Sequence, residues 1–199
     1  MVERSEDLQR FVDAAFIAFD KFAGDPEARR AIPQIFAALG HPGPERGNPG
    51  SRLPVCQLLP AALSIETSDP ALRQLIECFE GIEGKLAWRR RTAHPTASEN
   101  FADGHTNAMI IGPGGLEERN DLWLGVTLMA PHVRYPDHEH APEEVYLVLS
   151  EGEFQQGDRD WFSPGIGGSF YNVPQIKHAM RSLDTPLFAF WALRAERQR

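Results

Sequence analysis

Residues 135–154 read YPDHEHAPEEVYLVLSEGEF. His138 and His140 stand one residue apart, two glutamates follow, and then apolar and polar residues alternate as they do along a half-buried strand. Such a stretch is either a charged, solvated turn or a metal site on the wall of a β-structure. Successive side chains of a strand point to opposite faces. His138, His140, Glu144 and Tyr146 therefore share parity and one face, while Glu143, Val145, Leu147 and Leu149 share the other. The Ala-Pro-Glu break between His140 and Glu144 permits a bend without changing that parity. Imidazole and carboxylate are good ligands for divalent Zn, Fe, Mn, Co or Ni, and a site needs at least three converging on one point. His178, opening HAMRSL, is the best candidate for a further ligand from another strand. The expected cofactor is one divalent transition metal ion, whose identity this ligand set leaves open. A histidine standing alone is more often a packing or surface residue, and His41, His94, His105 and His132 are assigned that structural role.

Outward from this stretch, the chain after Gly84 consists of short runs rich in Trp, Val, Ile, Leu and Phe, separated by Gly, Pro, Asp and Asn. The predicted strands are KLAWRRRT, NAMIIG, LWLGVTLMA, EEVYLVLS, GEFQQGD, GGSFYNVP, HAMRSL and PLFAFWALRA. About eight short strands in succession point to a small barrel or sandwich and not to a parallel α/β sheet. Before Gly84 the grammar is helical. Leu8, Phe11, Val12, Ala15, Phe16, Phe19 and Phe22 recur at three- and four-residue steps, with Ser5 as a candidate N-cap. A second helix is expected from Pro26 to about Leu39, kinked or split at Pro33. A third follows in SDPALRQLIECFEGI, capped by Ser68 or Asp69, with Leu72, Leu75, Ile76 and Phe79 on one face. Between them, GHPGPERGNPGSRLP (40–54) is a surface loop, either mobile or pinned as a cover over the barrel. The expected organisation is a helical N-terminal lobe over 1–85 and a metal-bearing β-barrel over 86–199.

With 199 residues, 42% hydrophobic and 24% charged, the chain has material for one sizeable core and a small appended lobe. Its formal net charge of −8 and pI near 5.4 lack the basic footprint of a nucleic-acid or anionic-membrane binder, so neither partner is expected. Cys56 and Cys78 are too few for a disulfide scaffold, sit in no CxxC or CxxH arrangement, and read as buried reduced thiols. The charged, helix-periodic amino terminus resembles neither a signal peptide nor a membrane span, which gives a cytoplasmic expectation. A homodimer is compatible with the sequence and not required by it.

The histidine cluster resembles the first motif of the cupins, approximately GxxxxxHxHxxxxE with three or four spacers and a later glycine. Here it is His138-Glu139-His140, three spacers, then Glu144, with Gly152 following. The second motif, approximately GxxxxxPxGxxHxxxN, is matched by Gly168, Pro174 and His178. Position 132 carries His in place of the leading glycine, Gly152 comes one residue late, Pro174 to His178 is one residue short, and the terminal asparagine is absent. The resemblance implies a single-domain cupin, a double-stranded β-helix of jelly-roll type, mainly β with the helical lobe in front.

The wider pattern is similar to the cupin-type dimethylsulfoniopropionate lyases, in particular the group called DddQ. They share a helical N-terminal lobe, one C-terminal barrel, and the string Y-x-x-H-x-H-x-x-x-E-x-Y with a distant histidine. In this chain the string is Tyr135, His138, His140, Glu144 and Tyr146, with His178 beyond. That resemblance implies His138, His140, Glu144 and His178 as metal ligands and Tyr146 as the base, with Tyr135 near the substrate as the second catalytic candidate. A phenol has an unperturbed pKa of about 10, which a nearby cation lowers, and a tyrosinate is a competent general base. The implied reaction is β-elimination of dimethyl sulfide from a zwitterionic sulfonium carboxylate, leaving acrylate. Aromatic faces suit a sulfonium cation, and Tyr135, Trp123, Tyr171 and Trp191 are candidate substrate-binding residues. The rivals are an Fe(II)-dependent cupin dioxygenase with the same ligands, a non-catalytic metal-binding cupin sensor, and a sugar isomerase. The last is weakened by the lack of Lys or Arg inside the central motif, although Arg134 is close by.

Overall fold

A computed structural model describes residues 3–47, 49–92 and 94–195. Among the described residues nine strands form two antiparallel sheets: β1 (Trp88–Arg89), β2 (His105–Ile111), β3 (Trp123–Met129), β4 (Arg134–His138), β5 (Glu144–Val148), β6 (Glu153–Gln156), β7 (Ser169–Asn172), β8 (His178–Arg181) and β9 (Leu187–Leu193). The larger sheet has the order β1-β2-β3-β9-β5-β7 and the smaller β4-β8-β6. All eight predicted strands are present. The ninth, β4, was not predicted, because RYPDH carries a proline and three polar residues in five and shows no clean alternation.

Alternation along the large sheet sorts its side chains into two cores. Ile110, Val126, Val145, Leu147, Phe188 and Phe190 face one way and form a continuous apolar cluster with the helices. Tyr146, Val148, Leu187 and Ala189 face the other way and pack against Tyr135, Phe154 and Met180 from the small sheet.

Helices α1 (Glu6–Phe22), α2 (Pro26–Ala38), α3 (Leu59–Leu63) and α4 (Pro70–Glu83) cover the first face. The stripe predicted for α1 is buried at Leu8, Phe11, Val12, Ala15 and Phe19, whereas Phe16 lies at its edge, 38% exposed, against Phe36. Ser5 occupies the N-cap position without a side-chain capping bond. Asp25 caps α2 and Asp69 caps α4, each accepting a hydrogen bond from a backbone N–H of the first turn. Pro33 lies inside an unbroken α2, so the helix is not split there. A 3-10 turn (Pro54–Leu58), α3, and α5 (Phe101–Gly104) are too short to leave a period in the sequence.

The 40–54 loop is pinned. Gly43 N–H donates to Glu117 Oε1 at 2.8 Å, Arg46 N–H to the Leu116 carbonyl at 2.7 Å, and Ser51 N–H to the Leu86 carbonyl at 2.9 Å. Glu117 is fully buried and its charge is met by Arg4 and Arg119, which is how a buried carboxylate is tolerated. Cys56 and Cys78 are buried free thiols. Among the described residues no helix is long and apolar enough to cross a membrane.

Candidate metal centre

The second face of the large sheet is laid out in cross-strand rows. Trp123, Leu193, Glu144 and Asn172 form one row; Gly125, Trp191, Tyr146 and Phe170 the next; Asn107, Thr127, Ala189 and Val148 a third. The indole of Trp191 lies against Gly125, where any Cβ would collide with the ring, so β3 carries glycine at that point and the tryptophan lines the site.

The small sheet supplies the histidines. His138 closes β4 directly opposite His178, which opens β8. The histidines and the glutamate therefore do not share one strand, as the parity reading assumed. His138 ends one sheet, His140 sits in the connecting turn, and Glu144 opens β5 in the other sheet. Parity orders only the stretch from Glu143 onwards, with Glu144 and Tyr146 inward. Glu143 points outward, pairing with Arg30 at 2.7 Å and accepting from Tyr171 Oη at 2.6 Å.

His140, Glu144 and His178 each offer a ligand atom, all within 4.8 Å of one another. His138 is not in that group, although its ring centroid is 4.0 Å from that of His178 and 6.3 Å from that of His140. In all three histidines Nδ1 lies 2.9 Å from a backbone carbonyl: Pro136 for His138, Pro142 for His140 and Ile176 for His178. A carbonyl only accepts, so the proton sits on Nδ1 and the lone pair on Nε2. Nε2 of His140 and of His178 then both face Glu144 Oε2, at 3.3 Å each. Lone pairs converging on an anionic oxygen are stable only with a cation between them, either a proton or a metal ion. The His178 Nε2 is buried and makes no hydrogen bond of acceptable alignment. The donor set and the carbonyl-held tautomers are those of a transition-metal site, and the residues fit the ion expected from the sequence.

Electrostatics follow from burial. Desolvation, with His178 alongside, pushes the His138 pKa down to about 3 and keeps it neutral. Burial would raise the Glu144 carboxyl, but the facing His140 and His178 imidazoles outweigh it and hold the group ionised. Burial lowers the His140 imidazole, and Glu144 reverses the sign. Burial and the neighbouring Glu144 drive the Tyr146 phenol well above its ordinary value.

Four residues in this setting were not singled out from the sequence. Asn172 donates Nδ2 to Glu144 Oε2 at 3.0 Å, and Gln156 Nε2 donates to Asn172 Oδ1 at 2.7 Å. The Asn107 amide donates to Tyr135 Oη at 3.0 Å and accepts from Thr127 Oγ1 at 2.6 Å. Thr127 in turn accepts the Trp191 indole N–H at 3.1 Å. No motif spacing reveals them; a strand register does.

A cavity of about 350 Å³ opens onto this centre, walled by Trp123, Tyr135, His138, His140, Tyr146 and Trp191. The candidate substrate residues Tyr135, Trp123 and Trp191 are thus brought together. Tyr171 is not. It lies opposite Val145 and so faces the helices, and its hydroxyl is engaged by Glu143 and Arg30. The structural assignments of the other histidines hold. His105 is buried and stacked on Phe101, His41 and His94 are exposed, and His132 is an exposed turn residue at φ 58°. His132 stands where the first cupin motif has glycine and takes the left-handed conformation that glycine would. Gln175, three residues before His178 as is the glycine of the second motif, does likewise at φ 62°. Ser182, at the place of the missing asparagine, accepts the Val133 N–H at 2.9 Å and donates to the Ala130 carbonyl. Arg134 is spent on Asp137 and the Thr96 carbonyl.

The model of the dimethylsulfoniopropionate lyase family matches residues 27–189. The chain belongs to that family. Membership makes it an enzyme, a dimethylsulfoniopropionate lyase. The lyase DddQ of Ruegeria pomeroyi is 28% identical over 139 residues, covering 69% of this chain and 68% of the relative. A putative lyase DddL of Cereibacter sphaeroides is 25% identical over 114 residues, covering 57% of this chain and 47% of that one. The crystal structure of DddQ from Ruegeria pomeroyi superposes with a TM-score of 0.76 at 23% identity, over 98% of this chain and 95% of that one. A chain from the crystal structures of DMSP lyases RdDddP and RnDddQII gives 0.72 at 22% identity, over 95% and 92%. The fold is the expected cupin with its helical lobe.

Proposed function

We propose that the chain cleaves dimethylsulfoniopropionate by a metal-dependent β-elimination in which Tyr146 is the base. The observation that carries this reading is the placement of Tyr146 in the same cavity as His138, His140 and Glu144, on the row next to Glu144. His140, Glu144 and His178 would hold a divalent transition metal, with His138 as the fourth ligand beside His178. The chemistry such an ion supplies is Lewis acidity toward the substrate carboxylate, stabilising negative charge as the α-carbon becomes a carbanion.

The chain's own groups do the rest. Tyr146 Oη takes the α-proton as phenolate, the form that a cation held by the Glu144 cluster would favour against burial and the carboxylate. The electron pair of that C–H bond forms the new carbon–carbon double bond, and the C–S bond at the β-carbon breaks with its pair on sulfur. A zwitterion thus yields neutral dimethyl sulfide, acrylate and a proton, which Tyr146 returns to solvent. The faces of Tyr146, Trp123 and Trp191 offer π-density to the sulfonium. Tyr135 is positioned by the Asn107 amide, which leaves the Tyr135 hydroxyl proton available to the substrate. The Gln156-Asn172 pair orients Glu144.

The test is anaerobic incubation of metal-replete protein with dimethylsulfoniopropionate and headspace detection of dimethyl sulfide. Release without oxygen, abolished by a chelator and restored by a divalent metal, is expected. A strict requirement for oxygen, or turnover indifferent to chelation, would overturn the reading.

A further inference from the structure

Three consecutive arginines, Arg89, Arg90 and Arg91, border the cavity from the end of β1. This is at odds with a pocket whose aromatic wall is suited to a sulfonium, since like charges repel across a small cavity. The three side chains diverge. Arg90 is drawn away by Asp103 at 2.9 Å, and the Arg89 guanidinium sits beside the Gly114 turn. The Arg91 guanidinium is held over the Tyr135 ring, 5.8 Å from its centroid, and among the described residues it has no carboxylate partner.

Its backbone is fixed by a buried post. His105, with no exposed surface, accepts the Arg91 N–H on Nε2 at 2.9 Å, sets Nδ1 against the Phe101 carbonyl, and stacks on Phe101 with centroids 3.6 Å apart. The chain beyond β1 is thereby tied to the wall of the cavity, with the Arg91 side chain starting from a defined point. The cavity lining thus combines a guanidinium beside Tyr135 with the rings of Trp123, Trp191 and Tyr146. A ligand with a carboxylate at one end and an onium cation at the other matches both.

We propose that Arg91 binds the substrate carboxylate and sets the specificity of the site for small carboxylates with a cationic β-substituent. This deepens the lyase reading and rests on it. Guanidinium is the side chain suited to a carboxylate, being permanently charged and forked. One carboxylate oxygen suffices for Arg91, leaving the other for the metal centre.

The test uses the full chain, metal-replete, as wild type, Arg91→Gln and Arg91→Lys. Acrylate and the isosteric, uncharged acrylamide are measured as ligands by calorimetry and as inhibitors of dimethylsulfoniopropionate cleavage. Loss of one charged hydrogen-bonding partner predicts that Arg91→Gln weakens acrylate about 10- to 100-fold and leaves acrylamide unchanged. KM for dimethylsulfoniopropionate should rise by a similar factor, with a smaller fall in kcat, and Arg91→Lys should recover part of the loss. An equal effect on acrylate and acrylamide, an unchanged acrylate affinity, or no acrylate binding to wild type would each overturn the assignment. A larger effect from Arg89→Gln than from Arg91→Gln would also do so. Thermal melting guards against misfolding, since both substitutions are on an exposed side chain and should leave it unchanged. If wild type releases no dimethyl sulfide the lyase reading fails, and calorimetry with acrylate and acrylamide still decides on Arg91.

Discussion

The two faces of the six-stranded sheet are made by the same strands and differ in what they demand of each residue. Along β5, Val145 and Leu147 go to the helix side and Glu144 and Tyr146 to the cavity side. On the helix side Phe188 and Phe190 meet Phe79 with centroids 5.4 Å and 5.3 Å apart, all fully buried. That face needs apolar volume at a given period, which many sequences satisfy. The cavity side needs particular atoms at particular places: an Nε2 lone pair, a carboxylate oxygen, a phenol. It carries buried titratable groups that gain nothing from transfer out of water. One face supplies the stability that the other consumes.

The comparison is tested most severely by exchanging what each face cannot lose. On the cavity side, Tyr146→Phe keeps the ring stacked on Phe170 and removes only the hydroxyl. Turnover should fall about 10²- to 10⁴-fold, the usual worth of a general base, while metal content and melting temperature stay as in wild type. Unchanged turnover would remove Tyr146 as the base. On the helix side the pattern should invert. Phe190→Ala should cost about 3–5 kcal/mol of unfolding free energy and leave kcat per folded molecule near wild type, measured by denaturant titration alongside active-site titration. A matching loss of kcat would show that the faces are not separable.

Smaller effects probe the support of the site. Asn172→Ala removes the amide that orients Glu144 and should weaken metal affinity about 10- to 100-fold, read by competition with a chromogenic chelator. Equal affinity would make Asn172 a packing residue. The smallest effect concerns His105. Burial lowers its pKa against the partly offsetting Phe101 carbonyl, so it is neutral in the fold. The unfolded chain takes up the proton first as pH falls below about 6.5. The contribution of His105 is therefore complete above that value and is lost as pH drops toward the depressed one. The stability of His105→Gln should fall less steeply than that of wild type over this window, and parallel curves would contradict the assignment.

Much of this was legible in the chain. Eight strands, the three long helices and the residues of the cluster could be read because each leaves a period or a spacing: apolar side chains every second or every third and fourth position, histidines one apart. Strand β4 could not, since Pro136 and three polar residues hide it. Tyr171 was assigned to the pocket for its nearness to the second motif, and the register with Val145 turns it to the helices. Asn172, its neighbour, faces in for the same reason and was overlooked. Arg91, a contact in the proposed reaction, lies outside every motif and reaches the cavity only through the pairing of β1 with β2.

The sequence by itself determined the fold class, the helical lobe, a donor set able to hold a metal and the tyrosine beside it, because those depend on local periodicity and on the chemistry of residue types. Tertiary structure decided which donors converge, with His138 set beside the group of three and not within it. It also decided which polar residues orient them and which of three arginines lies over Tyr135. Those are properties of register between distant strands, where a shift of one residue turns every side chain to the opposite face.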